Sequence, residues 1–239
     1  MLNIADKTVL VTGANRGIGR ALVEEALRRG AARVYAGARR PFTHPDPRVV
    51  PVTLDVTDAA QTDAAAAAID TLDMLINNAG ISLDDDLTDP VVLEQHLAVH
   101  VFGVQRVSRA FLPHLTRARG ALVNNISLAA LAPLPMVPAY SVSKAAALSL
   151  TQALRMQLAA RGVSVYAVLT GPTDTDMTRD LDIPKATVES VARAVFDSVE
   201  KGEEDIFPDP VSNTVAEPWS TGPTKALERE FAAMAATAS

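Results

Sequence analysis

The stretch Thr8-Val9-Leu10-Val11-Thr12-Gly13-Ala14-Asn15-Arg16-Gly17-Ile18-Gly19 decides how this chain folds. Its first five residues read as a buried strand, and an amphipathic helix opens at the glycines and runs to near Gly30. Glycine permits a tight turn and lets an anion approach the backbone, while the free N–H groups and positive dipole end of a helix attract that anion. Gly13-x-x-x-Gly17-x-Gly19, set between a strand and a helix, therefore reads as a phosphate loop that includes Asn15, Arg16 and Ile18.

Outward from this unit, a second strand, Arg33 to Ala38, ends in Arg39 and Arg40, with no carboxylate where ribose hydroxyls would be read. Arg16 and Arg39 together suit a 2′-phosphate, so NADP(H) is expected over NAD(H). The segment from Pro41 to Arg48 contains His44 and reads as a surface connection. A third strand, Val49 to Leu54, leads to Asp55-Val56-Thr57-Asp58, where Thr57 or Asp58 caps the next helix. Asp55 is placed either to accept from an adenine amino group or to close a strand-end turn. The alanine run from Ala64 to Ala68 reads as helix. A fourth strand, Leu72 to Ile76, is closed by Asn77-Asn78-Ala79-Gly80, small and amide residues that can bond backbone across a crevice beside a flat ring. Asp84, Asp85 and Asp86 lack ligand spacing and read as a solvated loop, so no metal is expected.

The pattern from Val91 to Arg117 is helical and carries His96 and His100. Ala121 to Ile126 is a fifth strand with Ser127 at its carboxyl end. Tyr140 and Lys144 open a helix from about Ala139 to Ala160, and four residues apart they share one face. A tyrosine of pKa about 10 is a poor acid at neutral pH, but a nearby lysine favours the phenolate, which makes proton exchange with a substrate oxygen plausible. This helix is apolar on more than one face, so it is deeply buried or pairs with a second subunit. Ser164 to Leu169 is a sixth strand, followed by a turn from Thr170 through Gly171, Thr173 and Thr175 to Met177. The polar stretch from Thr178 to Lys185 reads as a mobile lid. Thr187 to Lys201 reads as helix, Asp205 to Phe207 as a short strand, and Thr224 to Ala236 as a helical tail, with the placement of residues 208–239 open.

Strands alternating with helices predict an α/β fold, one Rossmann-like doubly wound parallel sheet with helices on both faces, formed by residues 1–239 as a single domain. Hydrophobic residues are 48% and aromatics 4% of the chain, which fits an aliphatic core of this kind and disfavours a β-sandwich. A net charge of -6 without a basic run argues against nucleic acid as a partner. Without cysteine there is neither a disulfide nor a thiolate metal site. No stretch reaches membrane-spanning length, so a soluble cytoplasmic protein is expected.

These motifs together resemble the classical short-chain dehydrogenase/reductase family, over roughly Lys7 to Phe207. The resemblance is carried by the glycine motif, Asp55-Val56, Asn77 to Gly80, Ser127, Tyr140-x-x-x-Lys144 and the Gly171 to Thr175 turn. It implies that Tyr140 is the general acid/base, that Ser127 binds the substrate oxygen, and that Lys144 holds the nicotinamide ribose and lowers the tyrosine pKa. It also implies a cofactor site from Gly13, Asn15, Arg16, Gly17, Ile18, Gly19, Arg39, Asp55, Val56, Asn78, Ala79, Gly80, Tyr140, Lys144, Gly171, Thr173 and Thr175. Three positions depart from the pattern. His100 stands where the family carries an asparagine that helps hold a water linking the lysine to solvent, Thr170 stands for a proline, and Ala130 for a glycine. If the main-chain carbonyl supplies the water contact, His100 substitutes; if the side chain is required, proton supply is slow or differently pH-dependent. An asparagine at position 100 is expected to keep or raise activity, and a relay and a buried structural role are both open.

The resulting expectation is an NADPH-dependent reductase of a ketone or aldehyde, run reversibly and assembled as a homodimer or homotetramer. Leu128, Leu131, Leu134, Met136, Val137 and Met177 suggest an apolar small-molecule substrate. The alternative is a catalytically weak dinucleotide-binding regulatory protein of the same fold.

Overall fold

A computed structural model describes residues 2–40 and 42–237. Pro41, the first residue of the expected surface connection, lies outside the described residues.

The strands β1 (Thr8–Thr12), β2 (Arg33–Ala38), β3 (Val49–Thr53), β4 (Met74–Asn77), β5 (Ala121–Asn125), β6 (Ser164–Val168) and β7 (Asp205–Ile206) form one parallel sheet in the order β3-β2-β1-β4-β5-β6-β7. Strand order reverses between β1 and β4, so a crevice opens at their carboxyl ends. The register is direct: Val9 pairs with Val34 and Met74, and Asn77 with Asn124.

Alternation along the strands divides the core. Val9, Val11, Val34, Ala36, Met74 and Ile76 face α1 (Gly17–Arg28) and α6 (Val188–Lys201), where they meet Leu22, Val195 and Phe196. Leu10, Leu75, Leu122 and Val165 face the other way and pack with Val107, Phe111 and Leu115 of α4 (Val104–Ala118) and with Ala65 of α2 (Ala59–Ala68). Both faces are buried, which is why the strands read as apolar runs and not as polar alternation. Asp58 caps α2 by accepting from the N–H of Gln61 at 3.1 Å.

One helix differs from the expected elements, and the tail left open by the sequence finds its place. The helix expected from Val91 to Arg117 is α3 (Pro90–Leu97) and α4 joined by a π turn at Ala98–Gly103. Gly103 allows this close packing, because a Cβ there would sit 2.8 Å from Val56 Cγ2. The helix α5 (Pro138–Ala159) buries Ser143, Lys144, Ala147, Leu148 and Thr151. The tail forms α7 (Pro210–Asn213), α8 (Ala216–Thr221) and α9 (Pro223–Thr237). Lys225 and Glu228 of α9 dock on Arg155 of α5 and Asp205 of β7: Lys225 lies 2.7 Å from Asp205, and Glu228 pairs with Arg155. Trp219 Nε1 donates to Asp205 at 2.8 Å. Helix α9 is thus an outer layer on α5. Among the described residues no helix is long and apolar enough to cross a membrane.

Candidate active site

The carboxyl ends of β1, β4, β5 and β6 are joined by a line of side-chain hydrogen bonds. Thr170 Oγ1 donates to Asn125 Oδ1 at 2.7 Å, Asn125 Nδ2 to Asn78 Oδ1 at 3.0 Å, and Asn78 Nδ2 to the Thr12 carbonyl at 3.0 Å. Thr12 Oγ1 in turn accepts from the N–H groups of Asn78 and Ala79, both at 3.0 Å. Thr170 therefore supplies a hydroxyl that a proline could not, and Asn125 emerges as a site residue that the strand pattern alone did not single out.

At one end of this line lies the glycine turn. Gly13 and Gly17 have φ of 65° and 52°, a left-handed conformation natural to glycine. A Cβ on Gly19 would fall 2.1 Å from the Gly13 carbonyl, so the turn closes only with hydrogen there. The first turn of α1 has no side-chain cap and no acidic residue, which leaves its N–H groups to meet an anion. These features fit the diphosphate of a dinucleotide. Thr175 packs toward Gly17, its Cγ2 3.4 Å from where a Cβ would be. Arg16 extends to Asp176, 3.0 Å away, and Asp176 also pairs with Arg179. Arg39 is exposed at the end of β2. Asp55 accepts from the Thr57 N–H at 2.9 Å and hydroxyl at 2.7 Å, and these bonds hold its carboxyl below the usual range against the opposing effect of burial. Asp55 thus closes a strand-end turn.

At the other end stand Ser127, Tyr140 and Lys144. The Tyr140 hydroxyl faces the Ser127 side chain, and Ser127 Oγ accepts from the Ala129 N–H at 3.1 Å. Lys144 Nζ lies 5.5 Å from the centre of the Tyr140 ring and donates to the Asn125 carbonyl at 3.0 Å. Burial pushes Lys144 down to about 7 and the Tyr140 phenol up, and at Tyr140 this desolvation outweighs the opposing effect of the Ser127 hydroxyl.

Two buried histidines back this group. His100 Nε2 accepts the Ile81 N–H at 3.1 Å, and its Nδ1 lies 2.8 Å from Ser143 Oγ. His96 Nε2 accepts the Leu83 N–H at 3.3 Å, and its Nδ1 lies 2.8 Å from the Val92 carbonyl. Asp85, expected in a solvated loop, accepts the Ala139 N–H through both oxygens at 3.0 and 3.2 Å. It caps α5, whose own N-cap residue Val137 offers no side-chain acceptor. The His96-x-x-x-His100 spacing was visible in the sequence; the contacts of Asp85 and Ser143 were not.

Gly171 is fixed by Asp209, which accepts its N–H at 2.7 Å and is itself buried. Thr173 is buried, with its hydroxyl donating to the Gly171 carbonyl at 3.2 Å. The segment after it closes on itself: Asp174 N–H donates to the Ala186 carbonyl and Ala186 N–H to the Pro172 carbonyl, both at 2.9 Å. Ten residues from Leu128 to Val137 carry no polar side chain, and Leu134, Met136 and Met177 are exposed.

A family model described as short chain dehydrogenase matches residues 7–185. The short chain dehydrogenase pigC of Monascus ruber is 34% identical over 197 residues, 73% of this chain and 65% of that protein. The 2-(R)-hydroxypropyl-CoM dehydrogenase of Xanthobacter autotrophicus is 34% identical over 207 residues, 78% of this chain and 83% of that protein. Among solved structures, a short chain dehydrogenase from Burkholderia cenocepacia in complex with NADP is 36% identical, with a TM-score of 0.87 over 96% of this chain and 98% of that chain. The match thus spans slightly less than two thirds of pigC and nearly all of the Burkholderia chain.

Proposed function

Because this chain belongs to the short-chain dehydrogenase family, we propose that it is an NADP(H)-dependent oxidoreductase that interconverts an apolar ketone or aldehyde and its alcohol. The observation that carries the reading is that Ser127, Tyr140 and Lys144 come together at the carboxyl end of β5, with Lys144 Nζ 5.5 Å from the Tyr140 ring. When bound, the reduced dinucleotide supplies the hydride, which no side chain of this chain can furnish. Tyr140 gives its proton to the carbonyl oxygen, and Ser127 donates a hydrogen bond to that oxygen as negative charge develops on it. Lys144 holds the ribose, and its charge favours the phenolate left behind. The uncapped start of α1, with Gly13, Asn15, Gly17, Ile18 and Gly19, would hold the diphosphate. Asp55, Val56, Asn78, Ala79, Gly80, Gly171, Thr173 and Thr175 complete the cofactor wall.

Preference for NADP(H) is supported by Arg16 and Arg39 and by the missing carboxylate at the end of β2. The NADP complex of the Burkholderia relative agrees with it. The apolar run from Leu128 to Val137 supports an apolar substrate. Assembly as a homodimer or homotetramer is supported by Leu150, Ala153 and Met156 of α5, which one chain leaves half-buried. A monomer by light scattering counts against it.

The test is NADPH and NADH consumption over a panel of apolar and polar ketones. NADPH is expected to be used faster, and Tyr140→Phe to lose about a hundredfold or more of kcat. Faster use of NADH would remove the role given to Arg16 and Arg39. No turnover above the Tyr140→Phe background would favour the regulatory reading.

A further inference from the structure

We propose that His100 is a positioning residue for Tyr140, held in one neutral tautomer between the segment after Gly80 and α5, and that it stands outside the proton route. The inference rests on the reading of Tyr140 as the proton donor. Its basis is the direction of every hydrogen bond around the ring. Nε2 accepts the Ile81 N–H at 3.1 Å, so it carries a lone pair and the ring proton is on Nδ1. Nδ1–H then donates to Ser143 Oγ at 2.8 Å, and the Ser143 hydroxyl donates to the Tyr140 main-chain carbonyl at 2.6 Å. The chain of bonds starts at a peptide N–H and ends at a peptide carbonyl. Neither end exchanges a proton with a substrate, and a proton added at Nε2 would face the Ile81 N–H.

The surroundings favour the same state. The titratable groups facing His100 are Lys144 and Tyr140 of α5 and His96 of α3; burial first, then the Lys144 charge and His96, hold the imidazole far below its ordinary pKa. Gly80 leaves the seat for the ring, since a Cβ there would lie 3.3 Å from Nε2. The ring stands edge-on to Tyr140 at 5.4 Å and 89°. His96 repeats the pattern one helical turn earlier, accepting from Leu83 and standing 6.1 Å from Tyr140 at 80°. Both the main chain and the ring of Tyr140 are thus held by an element that carries no mobile proton.

The first experiment is 15N-histidine NMR of the full chain, alone and with NADP+, with the His100 signals assigned by contacts to the Tyr140 ring. The expected result is protonated Nδ1 and unprotonated Nε2, unchanged from about pH 5.5 to about pH 9, a span that takes in most of the titration of free imidazole. Titration in that range, or the Nε2–H tautomer, would overturn the proposal. The second is kinetic. His100→Asn keeps a donor near Ser143 and loses the Ile81 bond, while His100→Gln can do the reverse. Each is expected to lower kcat about tenfold, with KM for the dinucleotide and the inflection of the kcat pH profile unchanged. The sequence alone led to the opposite expectation, that asparagine at position 100 retains or raises activity. An inflection displaced by about one pH unit or more would make His100 part of the proton route. NMR requires no turnover, so an inactive protein with the expected tautomer would remove the oxidoreductase reading alone.

Discussion

Lys144 and His100 are buried where their charged forms are disfavoured, and this sets how the free protein responds to pH. Lys144 titrates at about 7 in the folded chain, against 10.5 for the ordinary side chain, and His100 is depressed below 6.5. Between these folded and ordinary values the unfolded chain binds the extra proton, so stability is lost as pH falls. The Lys144 contribution disappears on descending from 10.5 toward 7, and that of His100 on descending below 6.5. The unfolding free energy read from urea denaturation should therefore fall on acidification, by up to about 1.4 kcal/mol per pH unit for each group. Lys144→Met is expected to flatten the upper part of the curve and His100→Asn the lower part. Curves parallel to wild type for both would contradict the buried environments described. Ser127, Tyr140 and Lys144 were readable because their residue types and spacing are themselves the chemistry. The direction of the Tyr140 shift was not readable, since it depends on solvent exclusion by residues far away in sequence.

Among the elements, α5 depends on a cap supplied from another segment. Asp85 holds the Ala139 N–H next to Tyr140 and is half-buried, while Asp84 and Asp86 are exposed. Asp85→Ala should destabilise the protein by about 1 kcal/mol, as loss of an N-cap does, and lower kcat through freedom at Tyr140. Asp85→Asn, which still accepts a hydrogen bond, should restore most of both. Denaturation midpoints and initial rates on the same preparations check this; equal loss in the two variants would point to charge instead of capping. Local periodicity identified β1, β2, α1 and α6, whose partners are dictated by an apolar face. It could not identify the cap that Asp85 gives Ala139 or the close approach of Gly103 to Val56 in the π turn, because each joins segments far apart in sequence.

For the molecule as a whole, the outer layer formed by α9 is held by charge in a nearly dry setting. Arg155, Asp205, Lys225 and Glu228 are each at most 10% exposed and form one network. Removing one partner leaves an opposite charge buried, so Glu228→Ala should cost about 3 kcal/mol, read as a lower urea midpoint. An unchanged midpoint would show that α9 is not part of the cooperative unit. Sheet class followed from the alternation of strands and helices, but the docking of this tail did not, because its anchors are four charged residues separated in sequence. The line from Thr170 through Asn125 and Asn78 to Thr12 links the glycine turn to the group of Ser127, Tyr140 and Lys144 by three hydrogen bonds between strand ends. The residues 128–137 and 174–185 hang from that line without forming part of it. Mutational drift or directed selection can therefore remodel which molecules enter while the machinery beneath stays in register.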